Sequence, residues 1–173
     1  HIDDSVETVL MNLVRGTGLR GMTGIRARNG NVIRPLLCLR RSDIENWLRE
    51  QGQEYVTDST NLECDYTRNK VRLQLLPLLR QLNPDADGAI HSTSVRLMEC
   101  FRIYSNAVGR DIERCMSSDG NRRVLDIGRL RQSASVEAVL YEILSPYGYN
   151  DSQISDIMES LDGEPGRRFV SDR

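Results

Sequence analysis

No stretch of this 173-residue chain is long and apolar enough to read as a bilayer span, and its start lacks the charged, apolar and small-residue succession of a secretory leader. A cytoplasmic protein with no membrane partner is expected. The chain also lacks any Cys-x-x-Cys pair. Cys38, Cys64, Cys100 and Cys115 lie far apart, a spacing that indicates neither a zinc site nor a disulfide framework and favours small reduced thiols. Net charge is nearly absent as well, at -2, so the molecule as a whole is not the basic body of a general nucleic-acid binder. Lysine is the last scarcity: Lys70 stands alone among the 23 basic residues. Arginine is the better planar fork for phosphate and stacks on bases, so the bias suits a nucleotide or RNA contact; arginine-rich codon usage would produce it equally well.

What is present begins with 39% hydrophobic residues, enough to bury a helical core in one ordinary domain or two small ones. The charge is unevenly spread. Arg15, Arg20, Arg26, Arg28, Arg34, Arg40 and Arg41 follow one another with no acidic residue between them, a local positive field inside an acidic protein.

Val6, Val9, Leu10, Leu13 and Val14 recur at helical spacing behind Asp3, Asp4 and Ser5, predicting a helix from Ser5 to Val14 that Gly16 stops. Asn29-Gly30, bracketed by Ile25 to Ile33, predicts a two-residue hairpin turn. Ser42-Asp43-Ile44-Glu45 reads as a capping box opening a helix with Ile44, Trp47 and Leu48 on its apolar face and Gly52 at its end. Thr57 to Asp65 is polar and turn-rich; Thr67 to Leu76 returns to helix, with Pro77 kinking it or opening the next. Asn83-Pro84 reads as a cap and first-turn proline, followed by a long stripe of Ile90, Leu97, Phe101, Tyr104, Val108 and Ile112. Ser117 to Arg123 reads as a loop, Val124 to Ile127 as a short extended piece, and Val136 to Leu144 and Ser152 to Leu161 as helices; the tail from Gly163 has no closing element. The best boundary is near Asn83, dividing a mixed part, 1–83, from a helical module, 84–173.

Asp3, Asp4 and Glu7 converge at i, i+3 and i+4 on one side of the first helix, hard oxygens that suit magnesium bridging phosphates. Taken alone, the cluster is better explained by acids at the positive end of a helix dipole. His1 adjoins it and could contact a nucleotide. Arg15-Gly16-Thr17-Gly18 offers closely approachable backbone beside a guanidinium, yet lacks the lysine and Ser/Thr ending of a Walker loop, and a helix stop followed by a turn explains it slightly better. Arg68 and Arg72 stand at i, i+4, where like charges cost stability unless an acid or an anion lies between them. Asp58 or Asp65 could be the acid; a phosphate is the alternative.

In order along the chain, these blocks resemble the tRNA(Ile)-lysidine synthetases of the PP-loop ATP pyrophosphatase group. The family's His-x-Asp-Asp-x-x-Glu-Thr and Leu-x-x-Leu-x-Arg-Gly-x-Gly-Leu-x-Gly resemble His1 to Gly21. Its Arg-Pro-Leu-Leu and Arg-x-x-Ile-Glu-x-x-Leu-x-x-x-Gly resemble Arg34-Pro35-Leu36-Leu37 and Arg41 to Gly52. Further on, Asp58-Ser59-Thr60-Asn61, Arg68 to Arg72 and Leu75 to Pro84 resemble its Asp-x-Ser/Thr-Asn, Arg-Asn-x-Ile/Val-Arg and Leu-x-Pro-x-Leu-x-x-x-Asn-Pro blocks. Ordered blocks over about half the chain are specific where any one alone is weak.

The resemblance implies a mostly α chain: a remnant of an α/β PP-loop (adenine nucleotide alpha hydrolase-like) domain with a small β-hairpin, then an α-helical substrate-binding domain. It implies ATP-dependent ligation of lysine to the wobble cytidine of a CAU-anticodon isoleucine tRNA, with ATP and Mg as cofactors, tRNA(Ile) and L-lysine as partners, and a homodimer left open. The roles it implies are catalytic for Asp3, Asp4, Arg68 and Arg72, nucleotide-binding for His1, Arg15, Gly16 and Gly18, and metal-binding for Asp4 and Glu7. The family's Ser-Gly-Gly-x-Asp-Ser signature precedes the His-x-Asp-Asp block and is not in this chain, so the piece is expected to be a fragment, inactive alone. Two rivals differ in chemistry. A tRNA-thiolating enzyme of the same group would use paired cysteines or an iron-sulfur site, which the cysteine spacing disfavours. A non-catalytic helical RNA-binding module would show salt-sensitive tRNA binding and nothing more.

Overall fold

The computed structural model describes residues 1–55, 66–163 and 166–171; the expected turn-rich segment from Thr57 to Asp65, with Asp58, Cys64 and Asp65, lies outside them. The chain is mostly helical, with two small antiparallel sheets among the described residues. It forms two compact units, His1–Phe101 and Arg102–Arg173.

The first unit is organised by helix α1, Ile2–Arg15, which starts earlier than its apolar spacing alone suggests because His1 takes the cap position and Asp3 and Asp4 occupy the first turn. Its inner face puts Val6, Leu10 and Met11 against Val71 and Leu76, with Ile2, Leu75, Leu79 and Ile90 around them. Burying each such aliphatic side chain contributes about 1.5 to 3 kcal/mol. Gly16 ends α1 at φ 76. The chain then turns back and docks on the helix: the Asn12 side-chain amide donates to the Gly21 carbonyl at 2.8 Å, and Ser5 Oγ accepts the Ile25 N–H at 3.0 Å. Gly24, at φ +68, lies so close that a Cβ there would stand 2.3 Å from Ser5 Oγ.

Strands β1, Arg28–Asn29, and β2, Val32–Ile33, form the expected hairpin, but their register pairs Asn29 with Val32. The two-residue loop is therefore Gly30-Asn31 rather than Asn29-Gly30. Only Gly30 has positive φ there, the pattern of a II′ turn with glycine at its first central position.

Helix α2, Arg41–Glu50, begins one residue before the expected Ser42 cap, with Arg40 flanking it. Two carboxylates satisfy its first N–H groups instead of the serine: Asp43 Oδ2 accepts from Arg40 N at 2.9 Å, and Asp3 Oδ2, from α1, accepts from Arg41 N at 2.7 Å. At the other end Gly52 N–H donates to the Arg49 carbonyl and Gln53 N–H to that of Leu48, a Schellman closure at the expected glycine.

Helices α3, Tyr66–Lys70, and α4, Leu76–Leu82, are joined through a π-helical turn, Val71–Leu75. Pro77 is the reason. It cannot donate to the carbonyl four residues back and its ring would collide there, so the helix widens and Leu76 N–H reaches Val71 O instead. Arg72 lies within that turn.

Helix α5, Ala86–Cys115, is the long helix expected after Asn83-Pro84; the two compact units divide within it, after Phe101. In the second unit Val108 and Cys115 of α5 pack with Leu130 of α6, Ile127–Leu130, with Val139 and Leu140 of α7, Val136–Leu144, and with Ile154 of α8, Asp151–Ser160. The expected loop over Ser117 to Arg123 is corrected: Met116–Asp119 (β3) and Arg122–Leu125 (β4) form a second hairpin; of the extended piece expected from Val124 to Ile127, Val124 and Leu125 lie in β4, whereas Ile127 begins α6. Its loop is Gly120-Asn121, with Gly120 at φ 59, the same device as in the first. The tail is tied down by Tyr149, whose hydroxyl donates to Phe169 O at 3.1 Å, and by Gln153 Nε2, which donates to Val170 O at 3.2 Å.

Candidate active site

The N-terminal turns of α1 and the π-helical turn build one charged centre in the first unit. Glu7 is 2% exposed, a position at which a carboxylate is tolerable only when paired. Arg72 supplies the pair as a two-pronged fork, Nε to Oε1 at 2.7 Å and Nη2 to Oε2 at 3.0 Å. Arg68, one helical turn earlier, brings its Nε to 3.7 Å from the same Oε2. Glu7, 65 positions upstream of Arg72, is thus an acid between the two arginines; Asp58 and Asp65, the acids expected there, lie outside the described residues. The hydrogen bond to Glu7, seconded by the charges of Glu7, Asp4 and Asp3, holds the Arg72 guanidinium above its ordinary value against partial desolvation.

Above this buried pair the carboxylates diverge in role. Asp3 accepts the α2 N–H and sits 3.1 Å from His1 Nδ1, so its Oδ2 is spent on joining α1 to α2. Asp4 is engaged on both oxygens: Oδ2 accepts from the His1 ammonium at 3.3 Å and lies 3.2 Å from His1 Nε2, and Oδ1 lies 3.9 Å from Arg72 Nη2. Asp4 also faces a cavity of about 460 Å³ together with His1, Arg34 and Arg68, walled by Ile25, Pro35, Leu36 and Leu37. Two guanidinium groups and one carboxylate around an open, partly apolar hollow suit an anionic ligand next to a cationic or metal-bound one. Arg34 was not among the expected site residues; its signal was the Arg34-Pro35-Leu36-Leu37 block, which places it at the cavity wall.

The expected residues therefore separate into two groups. His1, Asp3, Asp4, Glu7, Arg68 and Arg72 come together. Arg15, Gly16 and Gly18 are exposed at the opposite end of α1, roughly 16 Å along the helix from Asp4 at 1.5 Å per residue. Both Glu7 oxygens accept from Arg72, and no grouping of three or more His, Cys, Asp or Glu suited to a metal occurs among the described residues. Asp4 is the one carboxylate lining the cavity, and a magnesium ion, which commonly takes one or two carboxylates and fills its shell with phosphates and water, would find a single protein ligand there. Cys115 is a core thiol whose burial pushes its pKa up, while Cys38 and Cys100 are exposed. No described helix is long and apolar enough to cross a membrane.

Residues 1–79 match the PP-loop domain and residues 118–173 the TilS substrate binding domain. The tRNA(Ile)-lysidine synthase of Bacteroides thetaiotaomicron is 48% identical over 171 residues, 99% of this chain and 39% of that protein. That of Parabacteroides distasonis is 47% identical over 171 residues, again 99% of this chain and 38% of the relative. The Porphyromonas gingivalis enzyme of the same name is 37% identical over 172 residues, 99% of this chain and 37% of its own length. The chain thus spans about two fifths of the length of the curated relatives it matches.

Proposed function

This chain belongs to the tRNA(Ile)-lysidine synthase family, and from that premise we propose that the gene product containing it ligates L-lysine to the wobble cytidine of a CAU-anticodon tRNA(Ile) at the expense of ATP. The cytosine carbonyl oxygen is adenylated with release of pyrophosphate; the lysine amine then attacks that carbon and AMP leaves. The observation that carries the reading is the Glu7-anchored arginine pair beneath an Asp4-lined cavity.

Both steps develop or move negative charge on phosphate, and preorganised cations stabilise such charge where water is partly excluded. Arg68 and Arg34 line the cavity and take the phosphate oxygens. Arg72 is held rigid by its fork to Glu7, so its field reaches the cavity without the entropic cost of ordering a free side chain. Asp4, bracketed by His1 and Arg72, orients the incoming lysine ammonium or holds magnesium, which would neutralise pyrophosphate when bound. His1 contacts the nucleotide from the cavity rim. Asp3 is a positioning residue, fixing the start of α2 relative to α1. Glu7 is assigned to the arginines rather than to metal.

The test is transfer of labelled lysine to unmodified CAU-anticodon tRNA(Ile) with magnesium ATP by the gene product containing this chain. Label is expected in the tRNA and is expected to fall at least a hundredfold in Asp4→Ala. A folded, tRNA-binding protein that transfers no lysine would overturn the assignment, and sulfur incorporation in its place would favour a thiolating enzyme.

A further inference from the structure

The second unit holds a larger cavity, of about 780 Å³, between the β3–β4 hairpin, α7 and the 145–149 segment. Its floor is apolar, formed by Leu125, Leu140, Ile143 and Leu144, and its sides carry Tyr147, Tyr149 and Arg123. Arg123 lies over the Tyr147 ring, with its guanidinium carbon 5.9 Å from the ring centroid. No acidic residue is among the described residues that line it. Arg114, Arg129 and Arg131 pair with Asp111, Asp126 and Asp162, whereas Arg122 and Arg123, side by side on the hairpin, have no carboxylate partner among the described residues.

We propose that this cavity is a subsite for one unpaired nucleobase of the bound RNA, with the base stacked in the Arg123–Tyr147 layer and its flanking phosphate on Arg122. The inference rests on the tRNA-modifying reading for the identity of the polymer. The chemistry argues for the occupant. An apolar lining with aromatic and guanidinium side chains accepts a π-face, and the cavity volume falls in the range of small-ligand sites. Unpaired arginines on the hairpin add the positive potential that a phosphate requires and that a purely apolar peptide side chain would not use. Tyr149 is fixed by its hydrogen bond to Phe169 O, so one wall is preformed. The site lies outside the charged centre built on α1 and is separate from the chemistry assigned to Asp4 and Arg72.

The experiment is equilibrium binding of unmodified CAU-anticodon tRNA(Ile) to the gene product containing this chain, at several salt concentrations, for wild type, Tyr147→Ala, Tyr147→Phe, Arg123→Ala and Arg122→Ala. Tyr147→Ala and Arg123→Ala are each expected to weaken binding about tenfold, and Tyr147→Phe, which keeps the ring, to bind within twofold of wild type. Arg122→Ala is expected to reduce the slope of log affinity against log salt by about 0.7 to 0.9. Tyr147 is 48% exposed, so its truncation leaves the core intact, and thermal unfolding of each variant checks this. Wild-type affinity in both Tyr147→Ala and Arg123→Ala overturns the subsite. Lysine transfer by wild type in the same preparations separates the two readings: failure of the ligase assignment abolishes transfer, whereas failure of the subsite leaves transfer and tRNA affinity untouched in the variants.

Discussion

The two units are built around opposite interiors. The second buries hydrocarbon: Leu130 and Val139 at 0% exposure, Leu140 at 1%, and no buried carboxylate among its described residues. The first places Glu7 beside Val6, Leu10 and Met11 and must satisfy it with arginines drawn from a distant helix. Hydrophobic replacements of buried ion pairs are often neutral or stabilising, so the Glu7 pair is poorly explained as a stability device. A carboxylate that fixes the direction of Arg72 and Arg68 beneath a cavity is better explained by what the arginines do there.

The comparison can be broken from either side. The largest stability effect is expected in the apolar unit: Leu130→Ala should cost about 2 to 5 kcal/mol in urea unfolding, through lost transfer energy and the cavity left behind, with lysine transfer per folded molecule within twofold of wild type. Glu7→Ala should cost about 2 to 3 kcal/mol, less than a fully buried pair because 30% of the Arg72 side chain remains in water. Unlike Leu130→Ala, it should also reduce lysine transfer by at least a hundredfold at saturating substrates.

The smallest effect concerns pH and lies away from the cavity. Arg80 forks onto Asp87 at 2.7 and 2.8 Å, and that hydrogen bond holds the Asp87 carboxyl below its ordinary 3.8 despite burial. Because the folded pKa is the lower one, the contribution is complete above the ordinary carboxylate value and is lost as pH falls from 3.8 through the depressed value. Asp87→Asn should flatten this acid limb of the stability profile. An unchanged limb would assign acid sensitivity to other carboxylates.

Local chemistry made much of the fold legible. Helical spacing located α1, α7 and α8, and Gly16 and Gly52 located two helix ends, because those signals act over a few residues. The first hairpin was legible to within one residue of register. The second uses the same glycine-asparagine loop, but from Ser117 to Arg123 its strands carry serine and arginine in place of alternating apolar residues and read as loop, while Val124-Leu125 alone read as extended. The π-helical turn had Pro77 as its signal, yet whether a proline kinks, ends or widens a helix depends on packing. At the site, one-turn spacing put Asp4 with Glu7 and Arg68 with Arg72 on shared helix faces, and the family resemblance singled them out as site residues. Neither could predict that Glu7 faces Arg72, or that Asp3 caps α2, since those pairings join segments far apart in sequence. Adjacency in a motif does not translate into adjacency in space here: Arg15, which ends α1, and Gly16 and Gly18 beyond it stand at the end of the helix away from Asp4.

The most direct measurement is lysine transfer to CAU-anticodon tRNA(Ile) by Glu7→Gln and by a second-unit core variant, Val139→Ala, under conditions where both are fully folded. Glu7→Gln keeps the shape of the side chain but removes the charge that fixes Arg72, so its turnover is expected to fall at least tenfold below that of Val139→Ala, with tRNA affinity unchanged. Equal turnover in the two variants would contradict the assignment of Glu7 to the arginines of the active site and leave it a structural ion pair.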